Sequence, residues 1–124
     1  MIEAKPASFS EEQVSLAKKF IRCIERHRPI DEPGTPDYDA CCWFVDTSLT
    51  VLGWEKDKYE EYRKRVRRDN RWAGDERYRT TRAKIFQKLL SRNPLFLTEV
   101  MRKEFETVAR ENMVDELQFL NSKL

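Results

Sequence analysis

The chain has 124 residues, 40% of them hydrophobic and 37% charged, with a formal net charge of +2. That length suits one domain with a real core. Three glycines and five prolines argue against a β-fold full of tight turns, and no stretch approaches the ~20 apolar residues that span a membrane.

Met1–Ser8 contains Glu3 and Lys5 and no apolar run, so it does not read as a signal peptide. Residues 1–9 are expected to form a short arm on a single helical domain, 1–124. Ser10 and Gln13 have the spacing of a capping box, and Phe9 and Val14 that of a hydrophobic staple. A helix follows, with Val14, Ala17, Ile21 and Ile24 at helical spacing and Leu16 and Phe20 widening the stripe. Pro29 ends it near His27 or Arg28.

Ile30–Thr35 is a loop with Pro33 and Gly34. Thr35 as cap and Pro36 at the first helical position predict a second helix, with Tyr38, Cys42, Val45, Leu49 and Leu52 in line and Gly53 as its stop. Ala40–Val45 read alternatively as a short strand has no visible partner. Trp54–Arg71 reads as a third helix, supported by Glu60–Lys64 and Glu61–Arg65 pairs four residues apart. Gly74 interrupts the pattern, Asp75 is the next candidate cap, and a fourth helix spans about Glu76–Arg92. Its inward residues are Tyr78, Ile85, Phe86, Leu89 and Leu90. Asn93-Pro94 is a break and restart, and its likeness to a helix-turn-helix is weak because the turn carries Pro and no Gly. From Pro94 to Asn121 no Gly or Pro occurs. Leu97, Val100, Met101, Phe105, Val108, Met113, Leu117 and Leu120 predict one long helix, with a bend near Glu111–Asn112 as the alternative. The expected fold is all-α: a four- or five-helix bundle, mostly antiparallel, with a long C-terminal helix.

Charge is unevenly placed. Residues 1–61 carry a net −5, residues 62–92 a net +9 and residues 93–124 a net −2. Within Tyr62–Lys84 ten basic residues face only Asp69, Asp75 and Glu76, and eight of the ten are Arg. Arg63, Arg67 and Arg71 recur every four residues on one stripe, with Arg68 one position over and Arg77, Arg79 and Arg82 following. The planar guanidinium binds phosphates in bidentate fashion and stacks on bases. Trp72 and Tyr78 flank the Gly74 break, where they can stack on unpaired bases. The bland alternatives are that Trp72 plugs the space between helices and that the acidic helices neutralise the arginines.

Cys23 and His27 lie four apart on the first helix, and Cys41 and Cys42 follow. Cys23, His27 and Cys41 are candidate zinc ligands, but successive residues on a helix point about 100° apart, so Cys41 and Cys42 cannot both face one metal. The expectation is no metal, no cofactor and a core of small thiols. Three cysteines make no disulfide framework, and an intracellular, reducing compartment is the simplest setting. A single His, no Gly-rich phosphate loop and no nucleophile elbow argue against an enzyme.

The sequence therefore points to a non-enzymatic binding protein, an accessory subunit of a larger assembly. Its Arg-rich segment would dock an RNA or DNA backbone through Arg63, Arg67, Arg68, Arg71, Trp72, Arg77, Arg79 and Arg82. The alternative is an adaptor, inhibitor or assembly chaperone that binds an acidic protein surface, with homodimerisation through the C-terminal helix. Leu95, Phe96, Trp43 and Trp54 stand off the main stripes, as a partner patch if exposed and as extra core if buried.

Overall fold

A computed structural model of the chain describes residues 9–122. The expected arm, 1–9, lies outside the described residues except for Phe9. The chain is all-α, with five helices, one 3₁₀ turn and no strand among the described residues. Its contacts group into two units, residues 1–48 and 49–124.

In the first unit, α1 (Glu11–Arg26) begins on the predicted capping box. Ser10 Oγ accepts from the Gln13 N–H, and Gln13 Oε1 accepts from the Ser10 N–H. The helix ends at His27, a non-glycine residue in the left-handed region at φ 58°. Glu32–Thr35 forms a turn closed by Thr35 N–H to Glu32 C=O at 3.2 Å, with Gly34 at φ 91°, the conformation a type II turn demands after proline. That turn uses Thr35, so α2 (Tyr38–Leu49) starts later than the Thr35-Pro36 signal suggests. The same residues rule out the strand reading of Ala40–Val45.

The two helices pair in opposite directions, with Phe20 stacked on Phe44 at 4.5 Å and the Cys23 thiol beside that of Cys41. Lys19 Nζ bridges Asp31 and Asp37 at 2.9 Å each. The buried face of α1 centres on Cys23, while Val14, Ala17 and Ile21 stay exposed. Periodicity marked a stripe wide enough to offer either line, and packing chose the one through Phe20 and Cys23.

In the second unit a 3₁₀ turn (Thr50–Gly53) precedes α3 (Lys56–Asp69), α4 (Asp75–Leu90) and α5 (Glu99–Asn121). Contacts give the directions. Arg79 meets Phe119 and Leu120, Arg82 meets Glu116, and Leu90 meets Arg110, so α4 runs against α5. Trp54 meets Asn112, Tyr59 meets Glu116 and Arg63 meets Phe119, so α3 runs with α5. The unit is an up-down-up three-helix bundle with the long C-terminal helix as its spine. The long helix is unbroken but begins at Glu99 rather than at Pro94. Thr98 caps it, accepting from the Met101 N–H at 3.4 Å.

Polar side chains on α5 fix the surrounding segments. Asn112 Nδ2 donates to the carbonyls of Leu52 and Trp54 at 2.8 and 2.9 Å. A Cβ on Gly53 would lie 2.8 Å from Phe105 Cβ, so the glycine expected as a helix stop is required for close approach to α5. Glu106 accepts from the N–H groups of Leu95 and Phe96 at 2.8 and 3.0 Å, and its neighbour Arg110 donates to the carbonyls of Leu90 and Arg92. Arg79 on α4 donates to the last carbonyls of α5, while Arg110 on α5 does the same for α4. Each helix thus places a cation at the negative end of the other's dipole. Leu95 and Phe96 are fully buried, which resolves them as core; Trp43 and Trp54 are partly exposed.

Burial pushes the Glu106 carboxyl up, but the Leu95 and Phe96 N–H donors and Arg110 together hold it below its ordinary value. A carboxylate depressed in the folded state adds stability that is complete above its unfolded pKa, about 4.3, and is lost as pH falls through the folded value. Urea midpoints measured at about pH 7 and about pH 3 should therefore fall less in Glu106→Gln than in the wild type. Equal falls in the two proteins would remove Glu106 from the acid response.

Candidate nucleic-acid interface

The basic segment folds into α3, the 70–74 connection and α4. The 70–74 connection is tight: Asn70 N–H donates to Val66 C=O, and Ala73 N–H to Asn70 C=O. Gly74, rather than Asp75, occupies the N-cap position of α4. Asp75 is drawn instead to Arg79 Nε at 2.9 Å.

This geometry sorts the arginines into two groups. Four of the eight predicted site residues turn into the bundle. Arg63 grips Glu60 through two 2.8 Å bonds, and its guanidinium lies 4.5 Å from the Phe119 ring centroid. Arg67 donates to the carbonyls of Asn70 and Ala73 and covers the Tyr78 ring at 4.5 Å. Arg79, only 5% exposed, bonds Asp75 and the carbonyls of Phe119 and Leu120. Arg82 pairs with the buried Glu116, which also accepts from Tyr59 Oη at 2.5 Å. Arg63, Arg67 and Arg79 line a hollow of about 310 Å³ in which Asp75 and Glu116 offset their charge.

The other four, Arg68, Arg71, Trp72 and Arg77, stay outside. Trp72 is 71% exposed, so it does not plug the bundle. Arg77 reaches over its ring at 5.8 Å from the centroid. Arg71 Nη1 donates to Arg68 C=O at 3.3 Å. Lys64 and Arg65 extend this surface along α3, where Lys64 and Arg68 share one stripe, and Arg71 follows in the 70–74 connection. Among the described residues Lys64, Arg65, Arg68, Arg71 and Arg77 form no ion pair. The exposed acids at this corner are Asp69, Asp75 and Glu76, of which Asp75 pairs with Arg79 and Arg67. Lys64 and Arg68 lie one position from Arg63 and Arg67 of the line read from the sequence, and its third member, Arg71, lies beyond the end of α3. Lys64 and Arg65 were assigned to pairs with Glu60 and Glu61, but Glu60 takes Arg63 three residues on. Phe119 ring contacts select Arg63 for the inside, and no local sequence signal announces them.

A second hollow of about 270 Å³ opens beside Trp72, lined by Val66, Asn70, Trp72, Ala73, Arg77, Tyr78, Thr81, Arg82 and Ile85. It contains no acidic side chain. The Tyr78 hydroxyl is buried without a hydrogen-bond partner, and burial raises its pKa most, with Arg82 pulling the other way.

Cys23, His27 and Cys41, the candidate metal ligands, lie in the first unit. Burial, then the hydrogen bond with Cys23, pushes the Cys41 thiol up to about 12. Among the described residues no three His, Cys, Asp or Glu side chains gather as a metal-holding group. No described helix is long and apolar enough to cross a membrane. No protein-family model, curated protein or solved structure matches the chain.

Proposed function

We propose that the protein is a non-enzymatic binding module that docks an RNA or DNA backbone on the α3–α4 corner, as an accessory subunit of a larger nucleoprotein assembly. One observation carries this reading: the highly exposed Trp72 has the Arg77 guanidinium over its ring and follows the exposed Arg68 and Arg71 in the chain, and none of these three arginines has an ion-pair partner among the described residues. An exposed Trp beside exposed arginines supplies both interactions that single strands and backbones use, phosphate pairing and stacking. Lys64 and Arg65 lengthen the cationic track. Contacts to phosphates position a strand rather than select a sequence.

The test is fluorescence anisotropy with a labelled single-stranded RNA and a duplex DNA at about 50 and about 200 mM salt, a range across which phosphate contacts lose most of their strength. Retention that collapses across that range supports backbone docking. No retention at the lower salt rejects it and favours the competing occupant of this corner, an acidic protein surface.

A further inference from the structure

We infer that the hollow beside Trp72 is a base-stacking site, which makes the corner selective for single-stranded nucleic acid. This deepens the backbone-docking reading and rests on it. Two hollows formed by the basic segment differ in chemistry. The one lined by Arg63, Lys64, Arg67 and Arg79 has two acids in its wall, Asp75 and Glu116, which offset part of that charge. The one beside Trp72 has no acid in its wall, an apolar floor from Val66, Ala73 and Ile85, and the indole at its edge. Its volume, about 270 Å³, falls just under the range of about 300–1,000 Å³ typical of drug-sized ligand sites. That size takes a single planar ring system.

The occupant that fits is an unpaired base. Its π-face matches the indole, and its phosphate matches Arg77 in the wall, with the exposed Arg71 adjacent to Trp72 in the chain. Asn70 Nδ2 is already committed to Val66 C=O at 2.8 Å, which leaves its Oδ1 as an acceptor, and Thr81 contributes a hydroxyl to the wall. Stacking is tolerant of base identity, so the site distinguishes single strands from duplexes rather than one sequence from another. A paired base reaches such a hollow only after it is unpaired and unstacked, which penalises duplexes.

The experiment uses the full chain and three labelled probes of equal charge: an oligothymidylate strand, the same backbone without bases, and a duplex. The wild type should hold the oligothymidylate at least fivefold more tightly than either of the others, and Trp72→Ala should weaken that binding by roughly fivefold to a hundredfold. Trp72→Phe should recover part of the loss. Because Trp72 is exposed, circular dichroism of both variants should match the wild type. Equal binding of the strand and its base-free backbone, unchanged in Trp72→Ala and still steeply salt-dependent, would overturn the base site and leave backbone docking intact. Failure of all three probes at about 50 mM salt would overturn both.

Discussion

Glu116→Ala is expected to lower the unfolding free energy by about 3–5 kcal/mol, the range for removing one partner of a buried ion pair. Glu116 is 3% exposed and stands where α3, α4 and α5 meet. It accepts from Tyr59 Oη on α3 and from Arg82 on α4. Arg82 also lies against the Tyr62 and Phe86 rings, 5.6 and 4.6 Å from their centroids, so it cannot simply swing into water when its carboxylate is gone. Burial and the adjacent carboxylate raise the Tyr59 pKa, which keeps the phenol a donor. Glu116→Gln should fall between alanine and wild type, because the amide still accepts from Tyr59 but leaves the Arg82 charge uncompensated. Replacing both partners, Glu116→Leu with Arg82→Met, should restore most of the loss, since an apolar pair of similar volume avoids desolvating two ions. Urea unfolding of the four proteins measures this order. A Glu116→Ala variant within about 1 kcal/mol of wild type, the scale of exposed pairs, would show that water reaches the network.

The second large effect is on binding. Arg68→Glu combined with Arg71→Glu should weaken retention on a single strand at least tenfold at about 50 mM salt and reduce the salt slope by about two, one for each phosphate contact removed. Both side chains are exposed and make no ion pair among the described residues, so stability should change by no more than about 0.5 kcal/mol. Arg63 and Arg67, which the periodicity of the sequence selects first, do not serve as such a probe. Arg63 holds Glu60 and Phe119, and Arg67 holds the 70–73 turn and Tyr78, so their reversal changes folding and charge together. An unchanged salt slope in the Arg68/Arg71 variant would place the contacts elsewhere.

Helix content was legible because its signals are local. The Ser10–Gln13 box, the Pro33-Gly34 turn and the uninterrupted run after Pro94 each act over a few residues. What the sequence concealed is long-range. Asn112 and Glu116 look like solvent-facing polar residues on α5, yet each is buried because its partners lie 34 to 60 positions away. Conversely Ile85 and Val100 fit the apolar line but remain exposed. The basic segment was visible as composition. Its division into inward and outward arginines depends on Phe119, Leu120 and Glu116, all on another helix, and periodicity within the segment carries no information about them.

That division bears on how these positions can drift under mutation. Arg79, Arg102 and Arg110 each donate to two backbone carbonyls at once. A lysine has a single nitrogen at its tip and cannot span two such acceptors while also keeping the carboxylate partners of Arg79 and Arg110. At Arg68 and Arg77, by contrast, any long cation preserves a charge for phosphate. A saturation library selected for folding alone should hence reject lysine at 79 and 110 and accept it freely at 68 and 77, so that two residues of one type in one charged block obey separate rules of exchange.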